Sequence, residues 1–161
     1  MTEIRVLAVR QPWASLIVEG LKTIEVRSRP TNIRERVAIY ATNHWYTEKE
    51  KKDMFDQFAS LLDNKVISDY AYNYAFSSVL SGGERGKIIG TVEITQSFKC
   101  YSSGDYEEYE NLHLCSALNF DLLNTHFWSL DNPVKFSSPI PYKPPKGAVV
   151  WSKTDIPEDY K

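Results

Sequence analysis

The chain has 161 residues, 42% of them hydrophobic and 25% charged, which suits one soluble domain with a real core. A net charge of −2 argues against a globally basic nucleic-acid protein, and two cysteines are too few for a disulfide framework, so both are expected as free thiols. No apolar run approaches the roughly 20 residues of a membrane span, and the first residues lack a signal-peptide core, so a cytoplasmic location is expected.

The charge is unevenly placed. Residues 1–40 carry seven basic and four acidic side chains, a local balance of +3 against −5 for the remainder. A basic first third could attract a phosphate backbone; equally, scattered arginines keep strand edges soluble.

Residues 4–9 read as a mostly buried strand. Pro12 suits the first helical position, and Trp13, Leu16 and Ile17 at i, i+3, i+4 give a short helix one apolar face. Gly20 follows at the place where a left-handed residue ends a helix, with Lys22 directly after it. From Thr23 the period becomes two: Ile24 and Val26 point one way, Thr23, Glu25 and Arg27 the other. This strand is expected to end near Pro30. A polar turn over 32–35 leads to a strand over 36–42, with Val37, Ile39 and Ala41 on one face.

Thr47 and Glu50 have capping-box spacing, and Met54, Phe55, Phe58, Leu61 and Leu62 form an apolar stripe, so a helix is predicted over 48–62. Residues 64–81 fit a helix or an irregular insertion, rich in tyrosine. Those tyrosines could stack on nucleobases or simply be buried. Ser81-Gly82-Gly83 reads as a turn. A strand over 87–98 follows, with Gly90 marking a bulge or a close backbone approach. Residues 102–110 form an acidic loop or short helix, and 113–123 a helix. A strand over 126–130 is expected to stop at Asp131-Asn132-Pro133. Residues 137–147 hold four prolines and read as an extended connector, and 147–152 as the closing strand. No repeat or interdomain linker is visible. The expected fold is α+β: a small, partly open β-barrel of about six strands with flanking helices, in one domain over 1–161 with an aromatic-rich insertion around 64–85.

The stretch from residue 10 to residue 27 carries the candidate chemistry. Lys22, pressed between a helix end and a strand near Arg10 and Arg27, is the first candidate base or nucleophile. Glu25 is placed to orient it or to activate water. Arg27 is placed to hold a phosphate or carbonyl oxygen. The competing reading is an ion-pair network of the three that pins the strand. Trp13 and Trp128 are candidates for stacking on a base or for the core, and Gln11 for a base edge or a backbone partner. His44 follows a strand end and could face a cleft. Cys100, His113, Cys115 and His126 match no closed metal-site spacing, and no phosphate-binding loop or dinucleotide fingerprint is present, so neither metal nor cofactor is expected.

Gly20-x-Lys22-x-x-Glu25-x-Arg27, preceded by Gln11-Pro12-Trp13, resembles the ASCH (activating-signal-cointegrator homology) domain of the PUA-like superfamily. Residues 36–41 are similar to that family's second strand, 90–94 to its central strand, and Trp128-x-Leu130-x-Asn132-Pro133 to the segment before its last strands. The resemblance implies a PUA-like barrel and a cleft beside the motif that binds RNA, a modified nucleoside or a nucleotide. Arg10, Gln11, Trp13, Arg27 and Trp128 are the candidate ligand-binding residues, and a monomer is expected. Some small bacterial relatives are amidohydrolases that deacetylate N4-acetylcytidine, using the motif lysine and a threonine. Here the lysine is Lys22, but Glu25 stands where the threonine would be. The sequence thus looks more like the cointegrator branch, and a hydrolase acting on a nucleoside or RNA through Lys22 and Glu25 is the alternative.

Overall fold

The computed structural model describes residues 1–80, 82–116 and 121–160, with Leu122 described through its backbone alone. Its elements follow in chain order: β1 (Thr2–Val9), α1 (Trp13–Val18), β2 (Ile24–Arg27), β3 (Arg36–Ala41), α2 (Glu48–Asp63), α3 (Asp69–Leu80), β4 (Lys87–Lys99), α4 (Ser103–Glu108), α5 (Glu110–His113), β5 (His126–Pro141) and β6 (Trp151–Ile156). The strands form one mixed sheet in the order β2-β5-β4-β3-β1-β6. Only β1 and β3 run parallel among the described pairs.

The expected barrel is not closed. The sheet has two ends, β2 and β6, and no backbone ladder joins them among the described residues. It nevertheless curls strongly. In a flat sheet β5 and β6, four strand spacings apart, would be separated by about 19 Å. Yet Trp128 of β5 stacks on Trp151 of β6 with ring centroids 5.9 Å apart and planes at 12°. Across the same seam, Arg27 of β2 donates through Nη2 to the Ala8 carbonyl of β1 at 2.7 Å. Side chains therefore span the gap that hydrogen-bonded strands would close in a barrel.

The curl encloses a core of Leu7, Val37, Ile39, Val92, Ile94 and Leu130, onto which α1 lays Ala14, Ile17 and Val18. Leu16, on the other side of α1, packs instead against Met54, Phe58, Ala71 and Ala75 of α2 and α3. The predicted single apolar face of α1 is thus too narrow: Ala14 through Val18 are all buried, because the helix is wedged between sheet and helices. The capping box at Thr47 forms as predicted, with both reciprocal hydrogen bonds present. The tyrosine-rich segment is helical as α3, where Tyr70 and Tyr74 stack one turn apart.

Three readings need correction, two of strands and one of a helix. β5 does not stop at Asp131-Asn132-Pro133 but continues to Pro141. Register shifts in the β4–β5 ladder absorb the irregular residues, and Asn132 takes a positive φ of 49° within it. Opposite them, Gly90 admits the Val134 carbonyl so closely that a Cβ would collide with it, and would also lie 2.7 Å from Val18 Cγ1. The closing strand begins at Trp151 rather than 147, since a turn at Lys146–Gly147 (Gly147 φ 89°), closed by the Ala148 amide on the Pro145 carbonyl, and a bend over 149–150 precede it. The helix predicted over 113–123 does not span that range: α5 ends at His113, a 3₁₀ turn occupies Leu122–Asn124, and 117–120 lie outside the described residues. Residue 81 of the predicted turn also lies outside them. No helix among the described residues is long and apolar enough to cross a membrane.

Candidate functional site

A hollow of about 560 Å³ opens at the seam, between the end of β1, the start of α1, β2 and the 149–150 turn. Its size falls within the roughly 300–1,000 Å³ usual for small-molecule sites. Of the residues expected at a site, Arg10, Trp13, Glu25 and Arg27 line it; Gln11, Lys22 and Trp128 do not.

The α1–β2 turn places the charged triplet. Gly20 adopts φ 75°, and the amides of Leu21 and Lys22 both donate to the Leu16 carbonyl, at 2.9 and 3.0 Å. This turns the Lys22 side chain inward, where the residue is 1% exposed. Its ammonium donates to the His113 carbonyl, lies 3.6 Å from Glu25 Oε1 and reaches Cys115 Sγ at 3.6 Å. Glu25 in turn is 6% exposed. Its Oε2 accepts from Arg27 Nε at 3.0 Å and Nη2 at 2.8 Å, while Oε1 accepts from the Val26 amide at 3.1 Å. The carboxylate thus accepts three hydrogen bonds, and the Lys22 ammonium adds an ion pair at 3.6 Å. Burial alone would push the Glu25 carboxyl up, but the charges of Arg27 and Lys22, with hydrogen bonds from Arg27 and Val26, hold it below the usual carboxylate range.

Behind this triplet His113 is fully buried. Its Nδ1 accepts from the Cys115 amide at 3.0 Å, so the ring proton sits on Nε2, 2.9 Å from the Tyr106 carbonyl that accepts it. Burial lowers its pKa to about 4; the Tyr106 hydrogen bond opposes that shift and the Lys22 charge adds to it. Burial pushes the Cys115 thiol up, with Lys22 opposing. Cys115 lines the hollow.

Gln11 and Trp128 both have protein partners. Gln11 Nε2 donates to Ser15 Oγ and to the Glu84 carbonyl, each at 2.8 Å, and its Oε1 accepts from the Ser15 amide at 3.0 Å. Trp128 is 3% exposed, and its indole N–H donates to the Arg29 carbonyl at 3.0 Å.

Trp13 differs. Its ring leans on Phe58 at 6.1 Å, but its indole Nε1 is buried without a hydrogen-bond partner. Thr42 Oγ1 and His44 Nε2 share that condition, and among the described residues these are the three such atoms. All three residues line the hollow. The nearest carboxylate to His44 Nε2 is Glu50 Oε1, at 3.7 Å. The loop carrying His44 is held by Arg85, whose guanidinium donates to the carbonyls of His44, Ser78 and Gly83 at 3.0–3.2 Å and lies 4.2 Å over the Trp45 ring.

Sequence reasoning missed Thr42, Cys115 and Arg85. Thr42 is the last residue of the strand predicted over 36–42 and directly follows the observed β3, a position from which side chains often reach a sheet-end crevice, and that was the available signal. Cys115 and Arg85 carried none. Among the described residues, no three His, Cys, Asp or Glu side chains are grouped to hold a metal ion.

Solved structures share this architecture. The ASCH protein of Zymomonas mobilis superposes with a TM-score of 0.54 at 16% identity, over 97% of this chain and 89% of that one. A point-mutant form of the same protein gives 0.53 at 15% identity, over 97% and 91%. At such identity the likeness speaks for the fold. The model of the ASCH domain matches residues 7–144. The chain belongs to the ASCH domain family, a family broadly linked to RNA binding.

Proposed function

We propose that the seam hollow binds a nucleotide unit of RNA or a modified nucleoside, with Trp13, Thr42 and His44 as the groups facing it. One observation carries this reading: the three buried side-chain polar atoms without a hydrogen-bond partner among the described residues all belong to residues lining one cavity. An orphaned buried donor or acceptor costs about 1–3 kcal/mol, so three in one place favour an occupant that satisfies them. Trp13 adds an aromatic ring, and a base is a planar group with hydrogen-bonding edges.

In this reading Lys22 and Glu25 build the wall. Their charged atoms are engaged with each other, with Arg27 and with the His113 carbonyl, and Lys22 does not reach the cavity surface. The hydrolase alternative requires one of them to give up those partners.

The test is binding of short single-stranded RNAs and of N4-acetylcytidine, followed by fluorescence anisotropy and calorimetry. Trp13→Phe keeps the ring and removes the indole donor, and Thr42→Val removes the hydroxyl at similar volume. Each is expected to weaken binding by about three- to tenfold, the worth of one hydrogen bond. Unchanged affinity in both variants contradicts the reading. Hydrolysis of the ligand that vanishes in a folded Lys22→Ala protein would establish the enzyme instead.

A further inference from the structure

The groups facing the hollow are mostly donors. Glu25, its one carboxylate, accepts three hydrogen bonds from within the protein and faces the Lys22 ammonium at 3.6 Å. Arg27 uses Nε and Nη2 on Glu25 and Ala8, while Nη1 makes no hydrogen bond among the described residues. Arg10 stands exposed at the rim, and its guanidinium makes neither hydrogen bond nor salt bridge among the described residues. The Trp13 indole is a donor by its chemistry. Against these, the Thr42 hydroxyl can accept as well as donate, and His44 Nε2 takes either role according to its tautomer. The lining carries two guanidinium charges and one carboxylate, and the buried Lys22 ammonium sits behind it.

A neutral nucleoside brings donors of its own and leaves Arg10 and Arg27 Nη1 facing water. A phosphoryl group brings acceptors alone, carries the complementary charge and matches the planar fork of a guanidinium. From this donor excess we infer that the hollow takes a phosphorylated ligand, with the phosphoryl group held between Arg10 and Nη1 of Arg27. The inference deepens the nucleotide reading above and rests on it. It separates the roles within the site: the two arginines hold the anion at the mouth, and Trp13, Thr42 and His44 meet the base or sugar deeper in. Arg27 is already fixed by Glu25 and Ala8, so little ordering of that side chain is required on binding. The source of the phosphoryl group, a free mononucleotide or one link of an RNA chain, shares this chemistry.

The experiment compares affinities by calorimetry at two salt concentrations. The probes are the four ribonucleosides, their 5′- and 3′-monophosphates, the dinucleoside monophosphates and inorganic phosphate. The phosphorylated forms are expected to bind at least about tenfold tighter than the nucleosides, an advantage that shrinks as salt rises. In Arg10→Ala that ratio is expected to fall toward one; the side chain is exposed and unbonded, so the fold is expected to survive. An advantage kept by the dinucleoside monophosphates points to RNA, and one confined to the monoesters to a free nucleotide. Nucleosides binding as tightly as their phosphates would overturn this inference and leave the nucleotide-site reading standing. A ratio unmoved by Arg10→Ala would overturn the placement of the anion. Failure of every probe to bind would overturn both.

Discussion

Replacing Lys22 by methionine removes the buried ammonium while keeping most of its volume. Three interactions go with it: the 3.6 Å pair with Glu25, the hydrogen bond to the His113 carbonyl and the 3.6 Å contact with Cys115 Sγ. Removing one partner of a buried pair costs about 3–5 kcal/mol when the other charge is stranded. Glu25 is not stranded, because Arg27 and the Val26 amide still hold it, so the low end applies. The His113 carbonyl, left with the Cys115 thiol at 3.4 Å, belongs to the same network, and its cost is not simply additive. The expected loss is therefore about 3 kcal/mol, read by urea denaturation at pH 7. Adding Glu25→Gln is expected to cost less in this background than alone, with a coupling of about 1–3 kcal/mol. The acid limb supplies a second signature. The folded Glu25 pKa is lowered, so its contribution is complete above its unfolded value and disappears as pH falls through the folded one. Without Lys22 that disappearance is expected to begin at higher pH. A Lys22→Met protein within about 0.5 kcal/mol of the parent, with no coupling to Glu25, would refute the role of Lys22 as wall support.

Two further perturbations probe the scaffold. His113, with its pKa lowered from 6.5 to about 4, stays neutral in the fold while the unfolded chain takes up a proton near 6.5. Stability is thus complete above that value and is lost as pH falls toward 4, by about 3 kcal/mol for this one ring. Denaturation series between pH 7 and pH 4 are expected to show a shallower decline in His113→Asn than in the parent. Arg85→Ala frees three carbonyls and the Trp45 ring. It is expected to cost about 2 kcal/mol and to raise amide hydrogen exchange in residues 44–46 first, seen by mass spectrometry.

The α1–β2 segment was readable because its signals are local. Pro12 at the helix entry, Gly20 at the exit and the switch of period at Thr23 each act within a few residues, and the structure places the turn there. The capping box of α2 is local in the same sense. Closure of the sheet was not readable. Whether β2 pairs with its far neighbour or stops short depends on accumulated curl, and the local sequence of β2 does not encode that. The continuation of β5 through Asp131-Asn132-Pro133 was hidden for a related reason, since the bulges that accommodate it lie in its partner ladder. The hollow itself combines residues near positions 10, 25, 42, 115 and 150. Its most informative property, polar atoms without partners, exists only once the distant wall is in place. Trp13 and Trp128 show the limit directly. Both sit in motifs of the same family resemblance, yet one indole N–H is buried without a hydrogen-bond partner in a residue lining the hollow and the other is bonded to Arg29.

The four tryptophans give the account its sharpest test. In ¹H–¹⁵N spectra of the folded protein, titration with short single-stranded RNA or a nucleoside monophosphate should move the Trp13 indole N–H resonance strongly, toward the shift of a bonded donor, and leave that of Trp128 nearly in place. Saturating ligand that shifts Trp128 or the surface tryptophan Trp45 while Trp13 stays unmoved would contradict the claim that the seam hollow is where this protein holds its ligand.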